Sequence, residues 1–410
     1  MIPHTRDVSC CVVGGGPAGM MLGLLLARAG VSVQLLEKHA DFLRDFRGDT
    51  IHPSTLELMH ELGLLDALLR LPHQELPRLV AQVGDVLLPI ADFSRVPTRC
   101  KFIAIMPQWD FLDFLARQGA RYAGFHLEMR AEATDLIEDR GRVTGVRGQA
   151  SSGPFEVQAD LVVAADGRSS VLRDRAGLPV EDLGAPMDVL WFRLRREPGD
   201  PTDTMGRFDV GRIFVLINRG GHWQCGYVIP KGSAEEVRGR GLPAFRSGVA
   251  ALAPFAADRV GEIASWDDVK LLTVKVDRLR LRQWYRPGLL CIGDAAHAMS
   301  PVGGVGINLA IQDAVAAANR LAAPLRERRL ITEHLRQVQR RREWPTRVTQ
   351  WLQVMVQRRV IGATLGRRDG RLTPPRLLSV LARTGILTPL PARLVGVGVR
   401  PEHIQTREVA

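Results

Sequence analysis

Apolar residues crowd positions 8–13, where Val8, Cys10, Cys11, Val12 and Val13 run almost without interruption. That pattern predicts a strand. A helical run follows at 18–29 and a second apolar strand at 31–36. Further along, the spacing predicts a helix at 53–64, loosely alternating strands at 79–90, and an amphipathic helix at 108–120 with Phe111, Leu112, Phe114 and Leu115 inward. A hairpin is expected at 131–146, turning at Asp139-Arg140-Gly141, and a buried strand at 159–165. From 187 to 276 the pattern is one of strands and hairpins, with 212–217 and 223–229 joined across Asn218-Arg219-Gly220-Gly221. A helix at 309–321 and helical segments to about residue 365 precede a proline-rich close. In that tail Trp344, Val348, Trp351, Leu352, Val354 and Met355 recur at three- and four-residue intervals and define an expected buried stripe.

Chemistry enters at the first turn. Gly14, Gly16 and Gly19 stand between the first strand and the first helix. There one glycine frees a sharp turn, one lets phosphate oxygens approach the backbone, and one lets helix and strand pack closely. The helix start offers unpaired N–H groups and a positive dipole end to a pyrophosphate. Glu37 ends the second strand, where a carboxylate accepts both hydroxyls of an adenosine ribose and disfavours a 2′-phosphate. The tightly held nucleotide is therefore expected to be FAD or NAD rather than NADP.

At 410 residues the chain exceeds what one hydrophobic core serves, so two domains or one domain with a large insertion is expected. The apolar fraction of 46% and charged fraction of 24% are those of an ordinary globular enzyme. No apolar run approaches the roughly 20 residues of a membrane span, and a first strand starting near residue 8 leaves no room for a signal peptide. Five cysteines, without a Cys-x-x-Cys pair, fit a reducing cytoplasm and no metal site. The net charge of +11 is concentrated at the end: the tail after residue 325 holds 18 arginines, no lysine and 6 acids, leaving the rest near neutral. A solvated helix face is one account of it; attraction of an anionic ligand or contact with a membrane surface is another. Nucleic acid is not expected, because no binding motif accompanies the charge.

Two more motifs follow. One is Ala165-Asp166-Gly167-Arg168-Ser169-Ser170-Val171-Leu172-Arg173; the other runs from Cys291 through Gly293-Asp294 and Pro301 to Gly304, Gly306 and Asn308. Together with the first glycines they resemble, over about residues 8–325, the single-component FAD aromatic hydroxylases of the para-hydroxybenzoate hydroxylase type. The resemblance implies an α/β fold: a Rossmann-like FAD domain of the glutathione-reductase type, an inserted, mostly antiparallel substrate sheet, and a C-terminal helical segment. The corresponding ranges are 1–74, 101–180 and 276–325 for the FAD domain, 75–100 and 181–275 for the sheet domain, and 326–410 for the tail. It implies non-covalent FAD, with Asp166 and Gly167 near the pyrophosphate, Asp294 on the ribitol, and Gly304, Gly306, Ile307 and Asn308 opening a helix toward the flavin pyrimidine. Gly14, Gly16, Ala18, Gly19, Glu37, Lys38, Gln108, Ala133 and Gly293 complete the implied cofactor contacts. Pro301 beside the isoalloxazine and Arg47 on a loop next to the flavin carry the implied catalytic positions, with Arg44 competing for the second.

The implied reaction uses NADPH or NADH as a transient reductant and O₂ to form a flavin hydroperoxide, which hydroxylates an electron-rich aromatic carbon. No second dinucleotide fingerprint exists for the reductant. The sheet of 187–275 is expected to roof the flavin, its period-two faces presenting either Trp191 with Arg193 or the hairpin set Trp223, Cys225 and Tyr227 to a hydrophobic, polycyclic or quinone-like substrate, with Trp191, Arg193, Gln224 and Tyr227 as the candidate contacts. Only three tyrosines exist, so a phenol-activating tyrosine relay is not evident. A flavin halogenase is disfavoured, because Cys225-Gly226-Tyr227-Val228-Ile229-Pro230 keeps only the Ile-Pro of the halogenase Trp-x-Trp-x-Ile-Pro run. A quinone or isoprenoid reductase and a non-catalytic flavin scaffold complete the alternatives. Oligomeric state is not legible.

Overall fold

The apolar run near the N-terminus becomes β1 (His4–Val13), the central strand of an eight-stranded sheet in a computed structural model. The structure describes residues 4–43, 49–84, 86–202, 204–274, 276–279, 283–367 and 388–409. β1 pairs in parallel with β2 (Val33–Glu37) on one side and with Gly153–Ala164 on the other; Phe125–Met129 and Leu289–Cys291 extend the parallel core. Register aligns the strand ends, for Val13 faces both Leu36 and Ala164, and Ala164 faces Cys291. The segments that follow these strands, which carry the three motifs, therefore leave the sheet along one edge. Helix α1 (Pro17–Arg28) returns over the sheet with proline in its first turn and residues 18–27 buried, pressed between the sheet and α2 (Gly306–Arg326).

A second sheet of seven strands combines Arg78–Val83 and Val86–Asp92 with Met187–Arg195, Met205–Asp209, Arg212–Asn218, His222–Pro230 and Lys270–Leu272. Its period-two alternation splits the strands into two faces. Leu190, Phe192, Leu194, Trp223, Cys225 and Ile229 pack outward against Ala234–Gly239, Leu242–Leu252 and the 3₁₀ segment Pro254–Glu262. The expectation of strands and hairpins throughout 187–276 is thus corrected over 234–262, which is helical. Phe245, Val249 and Leu252 supply the apolar spacing that puts one face of that layer on the sheet. A buried ion pair holds the layer: Arg259 reaches both oxygens of Asp200 at 2.8 Å, and the Trp223 indole donates to the same carboxylate at 2.8 Å.

The tail departs from its sequence reading in an informative way. α3 (Thr332–Val356) exposes Trp344 and Trp351, 56% and 63% accessible, and leaves Val348, Leu352, Val354 and Met355 half-buried. Its buried face is Leu335, Val338, Gln339, Arg342, Pro345, Thr346, Gln350 and Gln353. The reason lies beneath: α3 covers backbone at Asp277, Trp284, Ala298, Ser300 and Val302, whose carbonyls or N–H groups take their partners from its glutamine side chains. Arg342, with a side chain 2% accessible, reaches Asp313 at 3.0 Å and Glu402 at 3.4 Å.

Arg342→Ala removes a buried cation shared by two buried carboxylates, leaving Asp313 to His297 and Glu402 to Arg341, and is expected to cost about 3 kcal/mol. Trp351→Ala, on the exposed face, is expected to stay within about 0.5 kcal/mol of the parent. Guanidinium unfolding midpoints measured side by side check the pair; equal losses would restore the tryptophan stripe as the packed face.

Candidate active site

Close backbone approach brings the three motifs together. A Cβ on Gly19 would overlap the Gly14 carbonyl, one on Gly14 would overlap the Ala165 carbonyl just before Asp166, and one on Gly293 would lie 3.2 Å from Ala18. At Gly16 the situation is the reverse: nothing lies within 4 Å of a built Cβ. Gly16 is the N-cap of α1 and gives it no side-chain cap, so the helix start faces open space with its N–H groups forward.

Around that opening the polar residues are arranged in order. Glu37 is buried and accepts from Gly15 N at 2.9 Å and His39 N at 3.0 Å, which fixes its carboxylate at the end of β2. Lys38 beside it is exposed. Ala133 is buried in Ala131–Asp139, whose preceding Arg130 donates to the His39 carbonyl at 2.9 Å, so this strand passes close to Glu37. Asp166 accepts from Leu172 N at 3.3 Å through one oxygen, while its buried Oδ1 has no hydrogen-bond partner among the described residues. Burial pushes its carboxyl up, against the hydrogen bonds from Ser170 and the Leu172 backbone. Gly167 follows in the left-handed region at φ 87°. Asp294 is partly exposed and paired with Arg168 of the middle motif at 3.4 Å.

Beyond Asp294 the chain turns through an exposed Pro301, then Gly303 and Gly304 at φ 78° and 64°, a double left-handed step that a side chain would strain. Thr50 Oγ1 donates to the Gly304 carbonyl at 3.1 Å. Gly306 then opens α2, with Ile307 and Asn308 buried in its first turn. The Asn308 side-chain Oδ1 accepts from His52 N at 3.2 Å and from the Thr55 hydroxyl at 2.7 Å, so its first role is to pin the loop after Thr50. Gln108 opens the helix Gln108–Gly119, its N–H 3.4 Å from Asp49, which is in turn paired with Arg219 in a turn of the second sheet. Arg44 and Arg47 lie outside the described residues.

The inner face of the second sheet carries Trp191, Arg193 and Gln224. Arg193 is directly across from Gln224, and the Trp191 ring covers Gly226, whose Cβ would lie 3.1 Å from it. Val302 packs in the same cluster as Trp191, Val189, Ile213 and Val228, so this face looks onto the turn that carries Pro301. Tyr227 points the other way. It packs against Phe214 and Phe245, with ring centroids 6.3 and 5.4 Å away, on the outer face. The strand's alternation allowed either face; packing of 234–262 decides it, and places Tyr227 on the face opposite Trp191, Arg193 and Gln224.

Sequence reasoning missed the buried charges below Gly293. Asp313, fully buried, accepts from Gly293 N at 3.1 Å, lies 2.6 Å from His297 Nε2, and receives Arg342 Nε at 3.0 Å. Burial alone would raise its pKa; the facing His297 and Arg342 outweigh that and hold it below the usual carboxylate range. An acidic residue among the alanines of a helix is the only signal the sequence carried. Arg219, tied to Asp49 and to Gln224 at 2.8 and 2.9 Å, was read only as a turn residue; burial lowers its guanidinium to about 10.

These features fit a flavin dinucleotide: an open helix start, an unpartnered buried carboxylate oxygen at the second motif, and a partly exposed Asp294 at the third. Among the described residues there is no cluster that could hold a metal, and no helix long and apolar enough to cross a membrane. Comparison with known proteins agrees. The family description "FAD binding domain" matches residues 7–352. The chain is 33% identical over 90% of its length to 6-methylpretetramide 4-monooxygenase of Streptomyces rimosus, covering 88% of that protein. It is 29% identical to the 12-dehydrotetracycline 5-monooxygenase/anhydrotetracycline 6-monooxygenase of the same species, over 77% of this chain but 62% of that longer protein. The p-nitrophenol 4-monooxygenase of Pseudomonas putida superposes with a TM-score of 0.77 at 19% identity, over 94% of this chain and 96% of that one, a likeness of fold.

Two glycine substitutions separate cofactor contact from packing. Gly16→Val has room in the protein itself and is expected to fold but to fail to retain FAD, whereas Gly19→Ala collides with backbone and is expected not to fold. Flavin absorbance and circular dichroism of the two purified variants check this; a yellow Gly16→Val protein would remove the pyrophosphate from the start of α1.

Proposed function

The chain belongs to the FAD-binding family of aromatic monooxygenases, and from that premise we propose that its substrate is a hydrophobic, polycyclic phenol or quinone-like aromatic. The observation that carries this is the chain-long similarity to a monooxygenase named for 6-methylpretetramide. The inner sheet face supports it, for Trp191 laid over Gly226 offers a flat apolar platform while Arg193 and Gln224 stand at its polar end. FAD, when bound and reduced by NADPH or NADH, activates O₂ for transfer of one oxygen atom to an electron-rich carbon.

The protein's share is binding, orientation and exclusion of water. In our reading the start of α1 at Gly16 takes the pyrophosphate, with Asp166 and Gly167 beside it; Glu37, Lys38 and Ala133 hold the adenosine end, and Asp294 the ribitol. The first turn of α2, with Gly306, Ile307 and Asn308, would offer backbone N–H groups to the pyrimidine side of the ring and so favour negative charge there. Pro301 would stand against the ring, and Arg47 beside it. Arg193 and Gln224 would hold the oxygens of a phenol or enol, and Arg219, anchored to Gln224, would supply positive charge to its ionised form. Residues 1–74, 101–180 and 276–325 form the FAD domain in this reading, and 75–100 with 181–275 the substrate domain. Five free, buried cysteines fit a cytoplasmic enzyme. In the arginine-rich tail Arg342 would brace the fold from within, while the other described arginines, exposed or half-buried, fit a solvated helix face.

Polycyclic phenols are expected to accelerate NAD(P)H oxidation by the holoenzyme and to leave with one atom of ¹⁸O from labelled O₂. Accelerated turnover with no label in any product would replace hydroxylation by reduction. Arg193→Leu is expected to raise KM by about tenfold, the loss of one charge-assisted hydrogen bond, with flavin reduction in the absence of substrate unchanged.

A further inference from the structure

The buried face of α3 is a ladder of glutamines aimed at backbone. Gln339 accepts from Trp284 N at 3.0 Å, and Gln350 donates to the carbonyls of Asp277 at 2.8 Å and Ala298 at 3.1 Å. Gln353 does most: it accepts from Ser300 N at 3.2 Å and donates to Ser300 O at 3.0 Å and Val302 O at 2.9 Å. Gln357 donates to the Ser300 hydroxyl at 2.7 Å, and that hydroxyl accepts from Val302 N at 3.2 Å. Both amides are nearly inaccessible, at 5% and 1%. Residues 300 and 302 flank Pro301, so the backbone on either side of the exposed proline is fixed from behind by two side chains of the tail.

Nothing else described holds this segment so directly. After Pro301 the chain makes its double left-handed turn, and Val302 and Val354 meet the inner sheet face in one cluster with Trp191. A group extending from Asp294 toward that face must pass this turn. We propose that Gln353, seconded by Gln357, is a positioning residue that sets residues 300–302 and, through Pro301, the seat of the flavin ring against the substrate face. The proposal rests on the family reading of FAD. It gives the C-terminal helix a part in the reaction rather than in packing alone: bonds to fixed carbonyls have defined lengths and directions, and an apolar contact would let the turn slide.

The test uses full-length protein reconstituted with FAD and compares Gln353→Leu, Gln353→Glu and Gln357→Leu with Gln339→Leu, which loosens the same helix far from the turn. The three variants at 353 and 357 are expected to keep FAD affinity within about threefold, because pyrophosphate and ribitol are held elsewhere, while the bound-flavin absorption and fluorescence shift. With a turned-over substrate, H₂O₂ per NAD(P)H consumed is expected to rise on the order of tenfold, the effect of a misplaced reacting group. Gln353→Glu is expected to recover partly as pH falls, since the introduced carboxyl regains a donor when protonated. Gln339→Leu is expected to lower the melting temperature and leave the spectrum alone. Wild-type spectra and coupling in all three variants, or an identical spectral shift in Gln339→Leu, would overturn the inference. Failure of the parent chain to bind FAD would instead overturn the reading beneath it, so the two failures are separable.

Discussion

Everything in this molecule hangs on backbone touching backbone where side chains are missing. Gly14 lies against Ala165, Gly19 against the Gly14 carbonyl, and Gly293 between Ala18 and Ala310. Segments more than a hundred residues apart are thereby drawn to within a van der Waals contact of each other at one edge of the parallel sheet. A methyl group at Gly14 or Gly19 would push strand and helix apart and open the cradle. Gly16, the one fingerprint glycine with empty space before it, marks where the protein stops and a ligand begins.

A second layer of constraint comes from polar groups below the surface. Asp313 answers the N–H of Gly293, His297 and Arg342 answer Asp313, and Glu402 answers Arg342 and Arg341. A chain of this kind is stable only when complete, because each buried charge removed strands its neighbour. It links the third motif to the last residues of the chain. The tail is therefore continuous, in energetic terms, with the floor of the candidate site.

The second sheet is built on a different principle. One sheet presents two faces, and both read as apolar and aromatic in sequence. The outer face is consumed by the helical layer of 234–262, with Trp223 and Tyr227 spent on packing. The inner face retains Trp191, Arg193 and Gln224 beside the turn of Pro301.

How much of this was legible follows from the range of the interactions. The parallel strand, glycine turn, helix and acid of residues 8–37 are local, set by apolar runs and by glycines whose spacing admits one geometry, and the sequence alone determined them, along with the family and the cofactor class. The hairpins at 139–141 and 218–221 were equally local. The direction of a strand's faces was not, because alternation is symmetric until something covers one side; only the packing of 234–262 turned Tyr227 away. The face of α3 was misread for a related reason. Periodicity assumes that buried means apolar, and here the helix meets backbone groups at Asp277, Trp284, Ala298, Ser300 and Val302 and the carboxylates of Asp313 and Glu402, so glutamines and Arg342 went inward and Trp344 and Trp351 outward. Local pattern fixes which element forms; what that element must satisfy is decided by the surface it meets, which exists only once distant segments have come together.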